Sequence, residues 1–110
     1  NKVFFPGIDE RYKEVAAKQM DGFGGMMSFI LDTNIDGVKS FLKNLNIFTL
    51  AESLGGVESL IEHPAIMTHA SIDPSIREKL GISDTLLRIS VGIEDVDDLI
   101  ADLDQALSKI

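Results

Sequence analysis

The sequence predicts an α/β (α+β) two-layer sandwich, a small sheet of four to five strands with helices mainly on one face. Three observations carry that expectation. Short apolar runs of strand length alternate with stretches of helical periodicity. Clusters of Gly, Pro, Asn and Asp punctuate the junctions. The 110 residues, 45% hydrophobic and 25% charged, suffice for one core and contain no repeat, low-complexity linker or internal boundary.

Lys2-Val3-Phe4-Phe5 reads as the first strand, closed by the turn pair Pro6-Gly7. Asp9 to Met20 reads as a helix, because Tyr12, Val15, Ala16 and Met20 recur on one face. Asp21-Gly22-Phe23-Gly24-Gly25 breaks it, and Met26 to Leu31 is an apolar run of strand length. Asp32-Thr33-Asn34 offers a cap for a helix whose stripe is Ile35, Val38, Leu42 and Leu45. Ile47 to Leu50 is the next buried strand. Ser53 to Gly56 reads as a turn, Val57 to Ile61 as one helical turn, and Ala65 to Thr68 as a short extended segment.

Asp73-Pro74 starts a helix, with Asp as N-cap and Pro in the first helical position, and Gly81 ends it. From Thr85 to Val91 the pattern alternates. Leu87, Ile89 and Val91 face one way, and Leu86, Arg88 and Ser90 the other. The last helix carries Val96, Leu99, Ile100, Leu103, Leu107 and Ile110 on a stripe expected to dock on the sheet.

Composition excludes several functions. With no cysteine there is no disulfide framework, zinc-thiolate site or thiol nucleophile. A formal charge of −8 argues against nucleic acid as a partner, since phosphate contacts need clustered Lys or Arg. No apolar run approaches the ~20 residues of a membrane span, so no membrane partner is expected and the expected location is cytoplasmic. Six acids fall between Glu94 and Asp104 and read as a solvated helix face, with acids near the N-terminus favoured by the helix dipole.

Few residues suggest chemistry. Gly22-Phe23-Gly24-Gly25 follows a helix and precedes a strand, the reverse of a phosphate-binding loop. His63 and His69 lack partners at metal-ligand spacing and read as surface or capping residues; no metal site is expected. Ser28, Ser53 and Ser71 are not in a nucleophile elbow. Arg88 stands out, a guanidinium in an otherwise apolar strand. It cannot lose its proton, so it needs an anionic partner or solvent. Two readings stay open: an ion pair with a carboxylate of this chain, or a fork that grips a substrate carboxylate through two parallel hydrogen bonds.

Two long blocks resemble one enzyme family. The first runs Ala51-Glu52-Ser53-Leu54-Gly55-Gly56-Val57-Glu58-Ser59-Leu60 and then His63-Pro64-Ala65-Ile66-Met67-Thr68-His69-Ala70. The second runs from Gly81-Ile82-Ser83-Asp84-Thr85 through Leu87-Arg88-Ile89-Ser90-Val91-Gly92-Ile93-Glu94-Asp95. Both are similar to the pyridoxal-phosphate-dependent enzymes of cysteine and methionine metabolism, in the region of the γ-synthases and γ-lyases that handle cystathionine.

The resemblance implies that residues 1–110 are the single C-terminal small domain of a longer fold-type I enzyme. Its partner would be its own large domain, which carries pyridoxal 5'-phosphate on a lysine, in a homotetramer. None of the seven lysines here sits where a desolvated amine is expected, so the polypeptide alone is expected to be inactive, with no catalytic or cofactor-binding residue. By the same resemblance Arg88 binds the α-carboxylate of an amino-acid substrate, Ser53 assists it, Glu52 reads the distal group and Thr68 lines the pocket. Ile8-Asp9-Glu10-Arg11 departs from the family pattern at the entry to the first helix. The alternative is a free-standing small α/β binding module without catalytic activity.

Overall fold

Alternating apolar runs assemble into one five-stranded sheet in a computed structural model that describes residues 2–6, 13–19, 22, 24–51, 56–67, 73–80 and 83–110. The elements, in order, are β1 (Lys2–Phe4), α1 (Lys13–Gln19), β2 (Met26–Ile30), α2 (Ile35–Lys43) and β3 (Thr49–Leu50). They continue with β4 (Leu60–Glu62), α3 (Pro74–Lys79), β5 (Leu86–Ser90) and α4 (Val96–Leu107). Strand order is β1-β2-β5-β4-β3. Neighbours are antiparallel except β3 and β4, which are parallel.

The two-residue period of a strand sorts the side chains onto opposite faces. Phe29 of β2, Ile61 of β4 and Leu87 and Ile89 of β5 meet Val38 and Phe41 of α2 and Leu99 and Ala106 of α4 in the core. Phe29 and Phe41 pack edge to face with ring centroids 6.3 Å apart. The expected helix cap is present: the Asn34 side chain accepts the Gly37 N–H at 2.9 Å. The alternation expected in β5 also holds, with Leu87 and Ile89 buried, while Val91 lies beyond the strand and is exposed.

Several elements differ from expectation. Residues 57–61 make no helical turn. They make a bend and then enter β4, because Ser59 and the first two residues of β4 pair with neighbouring strands. The segment expected to extend from Ala65 instead turns over residues 64–67, where the Ile66 and Met67 N–H groups both donate to the His63 carbonyl. Ile47 and Phe48 lie outside β3, since their N–H groups donate to a carboxylate of α4. In α2 the fully buried pair is Val38 and Phe41. His63 is also fully buried, contrary to the surface reading. Its Nε2 lies 2.6 Å from the Asp84 carbonyl, which it can satisfy only as a donor, and its Nδ1 has no hydrogen-bond partner among the described residues. The expected helix start at residues 9–12 and the helix end at Gly81 lie outside the described residues.

The last helix is rotated from its predicted seat. Leu99, Asp102 and Ala106 are buried, whereas Val96 and Ile100 are 64% and 59% exposed. An acid therefore displaces two aliphatic residues from the sheet-facing stripe. Between α4 and β1–β2 lies an apolar cleft of about 320 Å³, lined by Val3, Phe29, Leu103 and Leu107 among others. Among the described residues no helix is long and apolar enough to cross a membrane.

Candidate functional site

Arg88 sits at the middle of β5, on the sheet face opposite α2 and α4. Its register partners are Ser28 on β2 and Glu62 on β4, so the three lie side by side across the sheet. Arg88 Nη2 donates to Glu62 Oε2. The Glu62 side chain is only 3% exposed and that of Arg88 is 33% exposed. Arg88 Nε is buried and has no hydrogen-bond partner among the described residues. The anionic partner that an arginine in an apolar strand requires is thus supplied within the chain, and among the described residues Nε is left unengaged.

Glu62 was not legible as part of this site. Reading residues 57–61 as helical places it beyond a helix end, whereas β4 places it opposite Arg88. The signal is the short run Leu60-Ile61-Glu62 before Pro64, a strand of three residues. Of the other residues singled out from the sequence, Glu52, Ser53 and Thr68 lie outside the described residues. Residues 52–55 lie between β3 and β4, and residues 68–72 follow the turn after His63.

The chain on either side of residues 52–55 is anchored. Thr49 N donates to Ser59 O at 3.0 Å and Ala51 N to Ile61 O at 2.9 Å, extending the parallel ladder of β3 and β4. Ser59 is fully buried. Its Oγ donates to Glu94 Oε1 at 2.7 Å and accepts from Gly92 N at 2.8 Å, and its N–H donates to Glu94 Oε2 at 3.0 Å. These bonds, first that from the Ser59 N–H and then that from its hydroxyl, hold the Glu94 carboxyl below its ordinary pKa. Ile93 N completes the clasp by donating to Val57 O at 3.0 Å.

The acidic run is thus not one solvated face. Glu94 grips Ser59, Asp95 caps α4 by accepting from the Asp97 and Asp98 N–H groups, and Asp102 is buried. Among the described residues no three His, Asp or Glu side chains converge as metal ligands. Among the described residues, those lining the apolar cleft on the helical side of the sheet are all uncharged.

A family model described as Cys/Met metabolism PLP-dependent enzyme matches residues 1–108. The chain is 56% identical over 109 residues to cystathionine gamma-lyase of Dictyostelium discoideum, covering 98% of this chain and 28% of that protein. It is 56% identical over 110 residues to cystathionine beta-lyase of Lactococcus lactis subsp. cremoris (strain MG1363), covering 99% of this chain and 29% of that protein. The crystal structure of cystathionine gamma synthase from Xanthomonas oryzae pv. oryzae in complex with cystathionine superposes with a TM-score of 0.89 at 52% identity, covering 99% of this chain and 28% of that one. The chain therefore spans less than a third of the length of these relatives.

The family's cofactor is pyridoxal phosphate. A lysine that anchors it needs a desolvated amine. Lys13, Lys18, Lys39, Lys43, Lys79 and Lys109 are all exposed, and none of them fits that role. What the described residues offer is an arginine paired with a buried glutamate on the sheet face opposite α2 and α4. With a model match over nearly its whole length and a TM-score of 0.89, the chain belongs to the family of Cys/Met-metabolism pyridoxal-phosphate-dependent enzymes.

Proposed function

We propose that this chain is the C-terminal, substrate-binding domain of a transsulfuration enzyme of the cystathionine γ-synthase or γ-lyase type. Arg88 carries the reading. It is a permanently charged fork on the sheet face away from α2 and α4, with one donor paired to Glu62 and Nε unpartnered among the described residues. Such a fork suits the α-carboxylate of an amino acid. Ser53 assists it, Glu52 meets the distal group of the substrate and Thr68 lines the same pocket. The chemistry at the γ-carbon belongs to pyridoxal phosphate on the large domain of the full-length protein, which acts as a homotetramer in the cytoplasm.

Relatives named for γ-lyase, β-lyase and γ-synthase activities are similarly close, at 56%, 56% and 57% identity, so overall likeness does not choose among them. Glu52 favours chemistry at the γ-carbon. Two measurements on the full-length enzyme test this. Product analysis with cystathionine, and with an activated homoserine plus cysteine, should yield cysteine release or cystathionine formation; homocysteine as the main product from cystathionine would overturn the γ assignment. Arg88→Ala should remove a charge-assisted contact of about 1.5–3 kcal/mol and raise KM; unchanged kinetics would remove the carboxylate role.

A further inference from the structure

The Glu62–Arg88 pair is unequal. Glu62 is held at 3% exposure on β4, while Arg88 on β5 remains 33% exposed. A long arginine side chain has rotamer entropy to lose when it is fixed. A neighbour that fixes it before a ligand arrives removes that cost from binding. Glu62 is placed to do so. Its backbone is locked by the β4–β5 ladder, and its Oε2 accepts from Arg88 Nη2. Among the hydrogen bonds of the described residues Nε is left unpartnered. A carboxylate that meets this fork needs no new ordering of the long side chain.

We propose that Glu62 is a positioning residue for anion binding by Arg88, setting the direction of the guanidinium without touching the ligand. The inference rests on the reading of Arg88 as the substrate-carboxylate fork. It adds a specificity element, because the neutralised pair disfavours tight capture of simple anions and rewards a ligand whose carboxylate is already oriented by its other contacts.

A double-mutant cycle in KM, on the full-length enzyme with cystathionine as substrate, tests it. Glu62→Ala should raise KM about tenfold and leave kcat within about twofold, with Arg88 present. In the Arg88→Ala background the same change should leave KM unaltered. A purely structural role would shift KM equally in both backgrounds, and that result overturns the inference, as does no KM change with Arg88 present. Glu62→Gln keeps the shape and one acceptor but halves the strength of the bond, so about a threefold rise is expected. It replaces Glu62→Ala in the cycle if that variant does not fold, under the same two criteria. If Arg88→Ala alone leaves KM unchanged, the carboxylate reading itself has failed. If it raises KM and the Glu62 variants do not, only the positioning role is lost.

Discussion

Asp102 and Ile47, 55 residues apart, are joined by a 2.8 Å hydrogen bond from the Ile47 N–H to Asp102 Oδ2. The same carboxylate accepts the Asn46 N–H at 2.8 Å and the Phe48 N–H at 3.2 Å. Three successive backbone donors between α2 and β3 thus find their acceptor on α4. Asp102→Ala strands these donors, of which that of Phe48 is buried and those of Asn46 and Ile47 are partly buried. It should cost about 3 kcal/mol, the upper end for an unsatisfied buried group, read as a lower urea midpoint with unchanged slope. A change under about 0.5 kcal/mol, the size of an ordinary surface substitution, would show that water replaces the carboxylate there.

Acid should weaken the fold through two particular carboxyls. At Asp102 burial raises the pKa, but the N–H groups of Asn46, Ile47 and Phe48 outweigh it and the net shift is downward. Glu94 is lowered by the Ser59 N–H and hydroxyl. A depressed folded-state pKa contributes stability that is complete above the unfolded value and is lost as pH falls through the folded value. Stability should therefore hold from neutrality to about pH 5 and decline below the ordinary carboxyl range. Urea unfolding at pH 7, 5, 4 and 3 gives the profile, and Asp102→Asn should flatten its acid limb. A decline that begins above pH 6 would point to a different group.

The rotation of α4 makes a contrast between adjacent residues. Leu99 is 5% exposed and Ile100 is 59% exposed. Leu99→Ala should cost about 2–5 kcal/mol, as for a buried leucine, and Ile100→Ala about 0.5 kcal/mol or less, as for a surface change. Thermal or urea unfolding of both variants reads the difference, and the reverse ranking would mean that the helix sits as its hydrophobic stripe alone predicts.

Gly92 is wedged against another stretch of backbone. A Cβ there would lie within 2.6 Å of the Glu58 carbonyl carbon and 2.7 Å of Ser59 N. Neither can yield without breaking the Ser59 clasp, so Gly92→Ala should destabilise by roughly 1–3 kcal/mol, the range for overpacking. Ser59→Ala removes the hydroxyl but leaves space and should cost about 1–2 kcal/mol. If Gly92→Ala is neutral by thermal unfolding, the 57–59 and 92–94 segments are not locked as described.

The class of fold was legible because strand and helix periods are local properties. β2, α2, β5 and α4 each announce themselves in the residues they contain. What escaped depends on partners distant in sequence. β4 is three residues long, and Leu60-Ile61-Glu62 becomes a strand only by pairing with β5 on one side and β3 on the other. Asp102 reads as a solvated acid until the N–H groups near Ile47 are placed beneath it. His63 reads as a surface residue until the Asp84 carbonyl closes on it. Arg88 was legible as a charge in an apolar strand, but its partner was not, because Glu62 meets it only through strand register. The roles of Glu52, Ser53 and Thr68 rest on motif likeness.

The strand order has a consequence for how the chain is made. β5 occupies the centre of the sheet yet is the last strand in sequence. During synthesis β1–β2 and β3–β4 can form only as two separate ribbons, each marginal in water by itself. Among the described strands no pairing joins them until residues 86–90 leave the ribosome, and α4 must then follow to cover the core. A nascent chain halted just before Leu86 is therefore not most of a domain but two loose hairpin-sized pieces, and assembly is deferred to the final quarter of the sequence.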